Sequence, residues 1–366
     1  MSIIISRKKI ISIYIAAAII LSQLHIPAFT QPVFADERIS YINDEGEEEF
    51  VPSDKKVILT TESNWKDGRW YVAEGQVSIN KRVTVKGDVS LILKDGAELN
   101  IPKGITIEDD KSLAIYGQEK SSGKLVISSD EIDVDANFAA IGGSNINIDA
   151  GSIEINGGEI IVKGGKNGAG IGGGYNKNKE GGGGDITITG GTVFATGGNN
   201  GAGIGGGNKG DGGTIEITGG RVFATGGGGG AGIGTGNRGD DCEISLEWTN
   251  ATDSIYASSF KGDIEFNSLF WNETANTEAA KKNIKNGARL IPAAEVDIDE
   301  GEHGTVSMDG NVAALGSKVI LTVIPDPHYF LEELSVTDDD DNDVDVSFSG
   351  TSAVFTMPAS DAYVEA

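Results

Sequence analysis

One phrase limits what this chain can fold into. Gly-Ala-Gly-Ile-Gly-Gly-Gly stands at 168–174 and again at 201–207, and returns at 230–236 with Thr235 in place of one glycine. A fainter copy, Ala-Ala-Ile-Gly-Gly, occupies 139–143. The central isoleucines Ile141, Ile171, Ile204 and Ile233 are 30, 33 and 29 residues apart. Between them runs Asp-Ile-Thr-Ile-Thr-Gly-Gly-Thr-Val-Phe-Ala-Thr-Gly-Gly at 185–198, nearly repeated at 214–227. A period of this size marks stacked units, none of which buries its apolar face alone.

The alternation inside each unit says which stack. Ile186 and Ile188 face one way and Thr187 and Thr189 the other, the period of two of a strand. A Gly-Gly pair then turns the chain, since glycine reaches positive φ without a Cβ penalty. Val193 and Ala195 resume the inward face of a second short strand, and the glycine phrase forms a third side with one inward isoleucine. Short strands, tight corners and repeated returns predict an all-β fold, a right-handed parallel β-helix followed by a small β-rich module. The 54 glycines are in period, which argues for this fold rather than for disorder.

The domain organisation follows from changes of texture. Residues 1–35 read as a signal peptide: Arg7, Lys8 and Lys9, an apolar run Ile10–Leu21, then small residues before Asp36. The run is short for a membrane span of roughly 20 residues, which sets cleavage against an uncleaved anchor. Residues 36–64 are an acidic leader or N-terminal cap, expected as a solvated tail. Strands begin at Trp65 and continue through 271 as the β-helix, with Tyr175–Gly184 as a polar insertion. Residues 272–293 read as a short helix over Thr274–Lys285 and a linker closed by Pro292. Residues 294–366 form the β-module, with strands expected at Thr305–Met308, Lys318–Ile324, Leu331–Thr337, Val344–Ser349 and Ala353–Met357.

Composition removes several functions. The formal net charge of −26 argues against a nucleic-acid partner, because phosphate binding needs a basic surface. Cys242 is the single cysteine, so no intramolecular disulfide and no cysteine-based metal site is expected. The acids at Asp240–Asp241 and Asp338–Asp341 lack the spacing of a calcium loop and read as solvated turns; no metal and no cofactor is expected. His25 lies in the leading segment, while His303 and His328 lie in the module. With no catalytic set of acids and bases at matched coil positions, the chain is expected not to be an enzyme; a β-helical polysaccharide lyase or hydrolase is the reading set behind the non-catalytic ones.

The informative column faces outward. In Glu159–Lys163, Thr192–Thr196, Arg221–Thr225 and Ser254–Ser258 the second and fourth residues point in, so Ile161, Phe194, Phe223 and Tyr256 point out. That ladder is either a binding face or a surface covered by the helix Thr274–Lys285 or a neighbouring loop. Trp65, Trp70, Trp248 and Trp271 read as core or cap residues rather than sugar platforms.

Two sets of residues carry a resemblance. Residues 70–75, 91–97 and 112–117, with the glycine phrases, resemble the glycine-repeat surface proteins of Gram-positive gut and soil bacteria. Residues 318–325, Tyr329–Leu331 and 355–361 resemble the divergent InlB-type B-repeat, a bacterial repeat domain. The resemblance implies a secreted or cell-wall-associated, structural or adhesin-like protein, with carbohydrate binding through the outward aromatic ladder as the second reading. Its partners would be cell-wall, host or environmental glycans or surface proteins, and it would meet the membrane only through the signal peptide. The sequence contains no Leu-Pro-x-Thr-Gly sorting signal, so the resemblance implies no anchoring mode. Cell fractionation with N-terminal sequencing is expected to find the chain in wall or medium beginning at Asp36. Recovery in the membrane with Met1 intact would contradict cleavage.

Overall fold

The computed structural model describes residues 38–53, 57–59, 61–127, 137–144, 149–176, 182–299 and 301–366. The signal segment 1–35 and residues 177–181 of the polar insertion lie outside the described residues.

Each coil contributes one short strand to each of three parallel sheets, as the alternation requires. The glycine face stacks Ile141, Ile171, Ile204 and Ile233 in one register, extended below by Ile105 and Val83 and above by Phe260. All four isoleucines are fully buried. The second face pairs Ile153 with Ile186, Ile215, Ile244 and Ile264 in turn. The third runs through Ile160, Val193, Val222 and Ile255. The three inward columns meet in one core cluster from Trp65 to Leu290. The chain is a parallel β-helix followed by a small, mostly antiparallel β-module.

The glycine phrase is explained by its corner. Gly172, Gly205 and Gly234 follow the inward isoleucines with φ of 120°, 121° and 127°. A Cβ on Gly205 would also collide with the carbonyl oxygen of Gly234 in the next coil. Both backbone angle and coil spacing therefore require glycine there.

Beside this corner the coils are tied by a second column, which the repeat pattern did not reveal. Asn167 donates its amide to Asn137 Oδ1 at 2.8 Å, Asn200 to Asn167 at 2.9 Å, and Asn237 to Asn200 at 3.2 Å. In the last coil that carries the glycine phrase, Gly229 stands where the earlier coils have Asn167 and Asn200, and the side chain of Asn237 occupies the space beside it.

Three expectations need correction. The leader is not a solvated tail throughout: Ser40–Ile42 and Glu48–Phe50 form an antiparallel hairpin. Tyr41 packs against Trp70 and Tyr116 at ring distances of 4.9 and 4.7 Å, and Ile42 N–H donates to the Gly117 carbonyl. Burying an aromatic ring outweighs the solvation of the nearby acids, which stay exposed. The helix spans only Lys281–Ile284, because Asn272 Oδ1 accepts from the Thr274 and Ala275 amides and holds a turn where the helix would begin. Pro292 lies within a strand, Ala288–Asp299, opposite Phe270. The first half of this strand pairs with Ile255–Ala257 and Phe270–Asn272, the second half with Val312–Ala314 and Ala362–Glu365. Its side chains divide likewise: Leu290 enters the solenoid core, and Ala294 begins a second core with Leu321, Val336 and Phe355.

In the module, Gly304–Ser307, Lys318–Pro325, Ser352–Thr356 and Ser347–Ser349 form an antiparallel sheet. The strand expected from Leu331 begins at Ser335, and the one expected from Val344 begins at Ser347.

Ile204 sits between Ile171 and Ile233, with only glycines beside it to relax into a vacated space. Ile204→Ala is expected to cost about 2–5 kcal/mol, toward the upper end. Because solenoid stability sums unit and neighbour contributions, hydrogen exchange should rise around Ala195–Gly236 before it rises near Val89–Ile101. Unchanged melting and exchange would contradict the role given to this column.

Candidate functional site

Parallel in-register pairing decides how the outward column is built. Ile161 pairs with Phe194, Phe194 with Phe223, and Phe223 with Tyr256. Adjacent strands are spaced at about 4.8 Å, so the same position in successive coils presents rings at stacking distance. The Phe194 and Phe223 rings are 4.8 Å apart and tilted by 11°. Ile161, Phe194 and Tyr256 remain 36%, 38% and 42% exposed, and Phe223 between them is half-buried. The helix does not cover them: its buried residue, Ile284, joins the solenoid core. The structure therefore leaves all four sequence-selected residues in one open row.

Below Ile161 the row continues to the half-buried Val126. On the strand of Ile161, Glu159 pairs with Lys124 at 2.6 Å, and this bond holds the Lys124 ammonium above its ordinary range. Above Tyr256 the next strand is antiparallel and sets Arg289 opposite it. Arg289 pairs with Glu273 at 2.6 Å. On the same outward face Ile291 is paired with Trp271, which is half-buried, while Leu290 and Asn272 point inward. Arg289 and Trp271 extend the face, and neither belongs to a repeat. No periodic signal could have found them.

Arg221 lies two residues before Phe223 on one strand, its guanidinium carbon 5.9 Å from the ring centroid. With Ser254, Glu273, Arg289, Pro292 and Leu315 it lines a cavity of about 370 Å³ at the upper end of the row. Asp253 also lines it, but its carboxylate is turned to the backbone. Oδ1 accepts from Gly220 N–H at 2.9 Å, and Oδ2 from Thr249 and Asn250 at 3.0 and 2.8 Å. That acid is held as a turn-forming group.

The tryptophans divide between roles. Trp65 is fully buried and stacks on Tyr71 at 5.1 Å. Trp248 is half-buried and donates its indole N–H to the Leu269 carbonyl at 2.6 Å. Trp70 stacks on Tyr116 under the N-terminal hairpin. In the module, His303 stacks on Tyr329 at 3.9 Å beside the exposed Phe330, lining a cavity of about 430 Å³. The Asp338 cluster is organised by its own turn: Asp338 accepts from the Asp340 and Asn342 amides, and these bonds lower its pKa.

Cys242 is buried over Gly212, where a Cβ would strike the thiol. Burial, with Asp211 and Glu243 nearby, pushes its pKa up to about 12. An unfolded thiol ionises at about 8.5, so the stability carried by the neutral thiol is present below that pH and lost as pH rises toward the folded value. Native protein at pH 8 should leave a disulfide thiol reagent unreacted, and denaturant should release one thiol per chain. Rapid native labelling would contradict the burial.

Comparison with known families gives two matches. The model of the divergent InlB B-repeat domain matches residues 294–366, and that of the beta helix repeat matches 153–175, 186–208 and 215–237. No curated protein and no solved structure matches the chain.

Proposed function

We propose that the chain is a secreted or cell-wall-associated surface protein whose solenoid is a non-catalytic, adhesive scaffold with Phe194, Phe223 and Tyr256 as its contact face. One observation carries the reading. A row of in-register rings stays open to solvent on a stable stack, and an exposed apolar row of this kind marks an interaction surface. The two matched domain types are at home on extracellular and surface proteins, which supports the location. The glycine phrases and the signal-like leading segment support it from the sequence side.

A second reading, carbohydrate binding, is favoured by the form of the face. Stacked flat rings flanked by Thr192, Thr196, Thr225 and Ser258 suit the apolar face and hydroxyl edge of a sugar ring. The cavity beside Arg221 gives such a chain a place to end. The non-catalytic reading rests on the same rows: the strands from Thr192 to Thr196 and from Arg221 to Thr225 carry no carboxylate to act as acid or base.

The test is the triple variant Phe194→Ser, Phe223→Ser and Tyr256→Ser. Removing two exposed rings and the half-buried ring between them should cost up to about 1 kcal/mol each in strand preference and pairing. Far-UV circular dichroism should be unchanged and melting only modestly lowered, while binding to cells or to a glycan array falls. Collapse of the fold would show the row to be core, and unchanged binding would remove the contact face.

A further inference from the structure

We propose that the upper end of this face takes an acidic glycan. Its pyranose rings lie over Phe223 and Tyr256, and its carboxylates are received by Arg221 and Arg289. This rests on the carbohydrate reading of the ladder and names the ligand class for it.

The argument begins with where the charge lies. The chain carries a formal net charge of −26, yet the acids are not spread evenly over the coils. On the second face the outward positions form two acidic columns. One runs from Glu154 through Thr187 and Glu216 to Ser245 and Glu265. The other runs from Asp185 through Thr214 to Glu243 and Asp263. On the ladder face, the rungs of Phe194, Phe223 and Tyr256 are flanked by Thr192, Thr196, Arg221, Thr225, Ser254 and Ser258. The one charge among them is positive. A cationic ligand would be drawn to the second face, whereas the ladder face offers an anion its nearest counter-charge.

The arginines are placed to use it. None of the ion pairs among the described residues involves Arg221, so its guanidinium is uncommitted apart from its position beside the Phe223 ring. Arg289 spends part of its fork on Glu273 and lines the same cavity. Of the two acids lining that cavity, Glu273 is paired with Arg289 and Asp253 has both oxygens bonded to backbone amides, so neither is bonded to Arg221. A guanidinium receives a carboxylate through two parallel N–H donors, and such charge-assisted bonds are about twice as strong as neutral ones. Screening over a Debye length of about 8 Å at physiological salt limits repulsion from the opposite face. A uronate ring therefore satisfies both halves of the surface, its apolar face on the aromatic rung and its carboxylate on the arginine.

The test uses two oligosaccharides differing only in that carboxylate: cellohexaose and the β-1,4-linked glucuronate hexasaccharide. Calorimetric titration of the full chain should show the glucuronate binding about tenfold or more tighter, with the advantage shrinking as salt rises. Arg221→Gln, an exposed change that leaves melting unaltered, should remove most of that preference while keeping cellohexaose binding. Arg289→Gln should act in the same direction. The triple serine variant should lose both ligands. Equal affinity for the two sugars, or full preference retained in Arg221→Gln, would overturn the acidic assignment and leave the ladder reading standing. Binding of neither sugar would overturn both. Glucuronate binding that survives the triple variant would place the site elsewhere and overturn the proposal.

Discussion

Every coil rests on the one below through in-register parallel backbone pairing, and at the glycine corner that contact leaves no room for a side chain. Ile171 N–H donates to Gly203, Ile204 N–H to Gly232, and Gly206 N–H to Gly234, each within 3.0 Å. A side chain at Gly172 or Gly205 would push adjacent coils apart, and the other two sheets would lose register with them. Because the pairing repeats without slippage, it turns any residue type kept at one coil position into a column. The isoleucine core, the asparagine ladder and the aromatic row are three products of one translation along the stack.

That translation also gives each face a single chemical character. Outward positions on the second face accumulate Glu and Asp, and like charges stacked at strand spacing repel unless solvent screens them. The third face accumulates rings and hydroxyls, whose stacking adds to the backbone pairing. The protein thus has an acidic side and an aromatic side, a division that net charge alone conceals.

A parallel stack left bare at its end offers unpaired strand edges. Here the strand Ala288–Asp299 closes the third sheet by reversing direction against Ile255–Ala257, then continues into the module as a partner of Ala362–Glu365. Closing the sheet and starting the module are one event in the chain. The reversal also places Arg289 against Tyr256, which gives the aromatic row a charged end. The Arg289–Glu273 and Lys124–Glu159 pairs flank the row at solvent-accessible positions, where ion pairs contribute little to stability and mainly shape the surface.

The periodic part of this architecture was legible in the sequence because its signals are local. Alternation at Ile186–Ile188 and Val193–Ala195 assigns inward and outward faces, and the spacing of the glycine phrase assigns the register. From these alone the buried column of Ile204 and the open row of Phe194, Phe223 and Tyr256 can be named. What breaks the period was not legible. Whether a helix would lie over the row depended on Asn272 holding a turn and Ile284 entering the core. The N-terminal hairpin depends on Tyr41 finding Trp70 and Tyr116, which come from different coils. Pro292 reads locally as a strand breaker, yet it is accommodated within a strand that changes partners. Arg289 and Trp271 join the face across an antiparallel pairing with residues far away in sequence. A repeat declares its neighbours through its period; a capping strand is recruited by burial and free edges, which exist only once the stack is built.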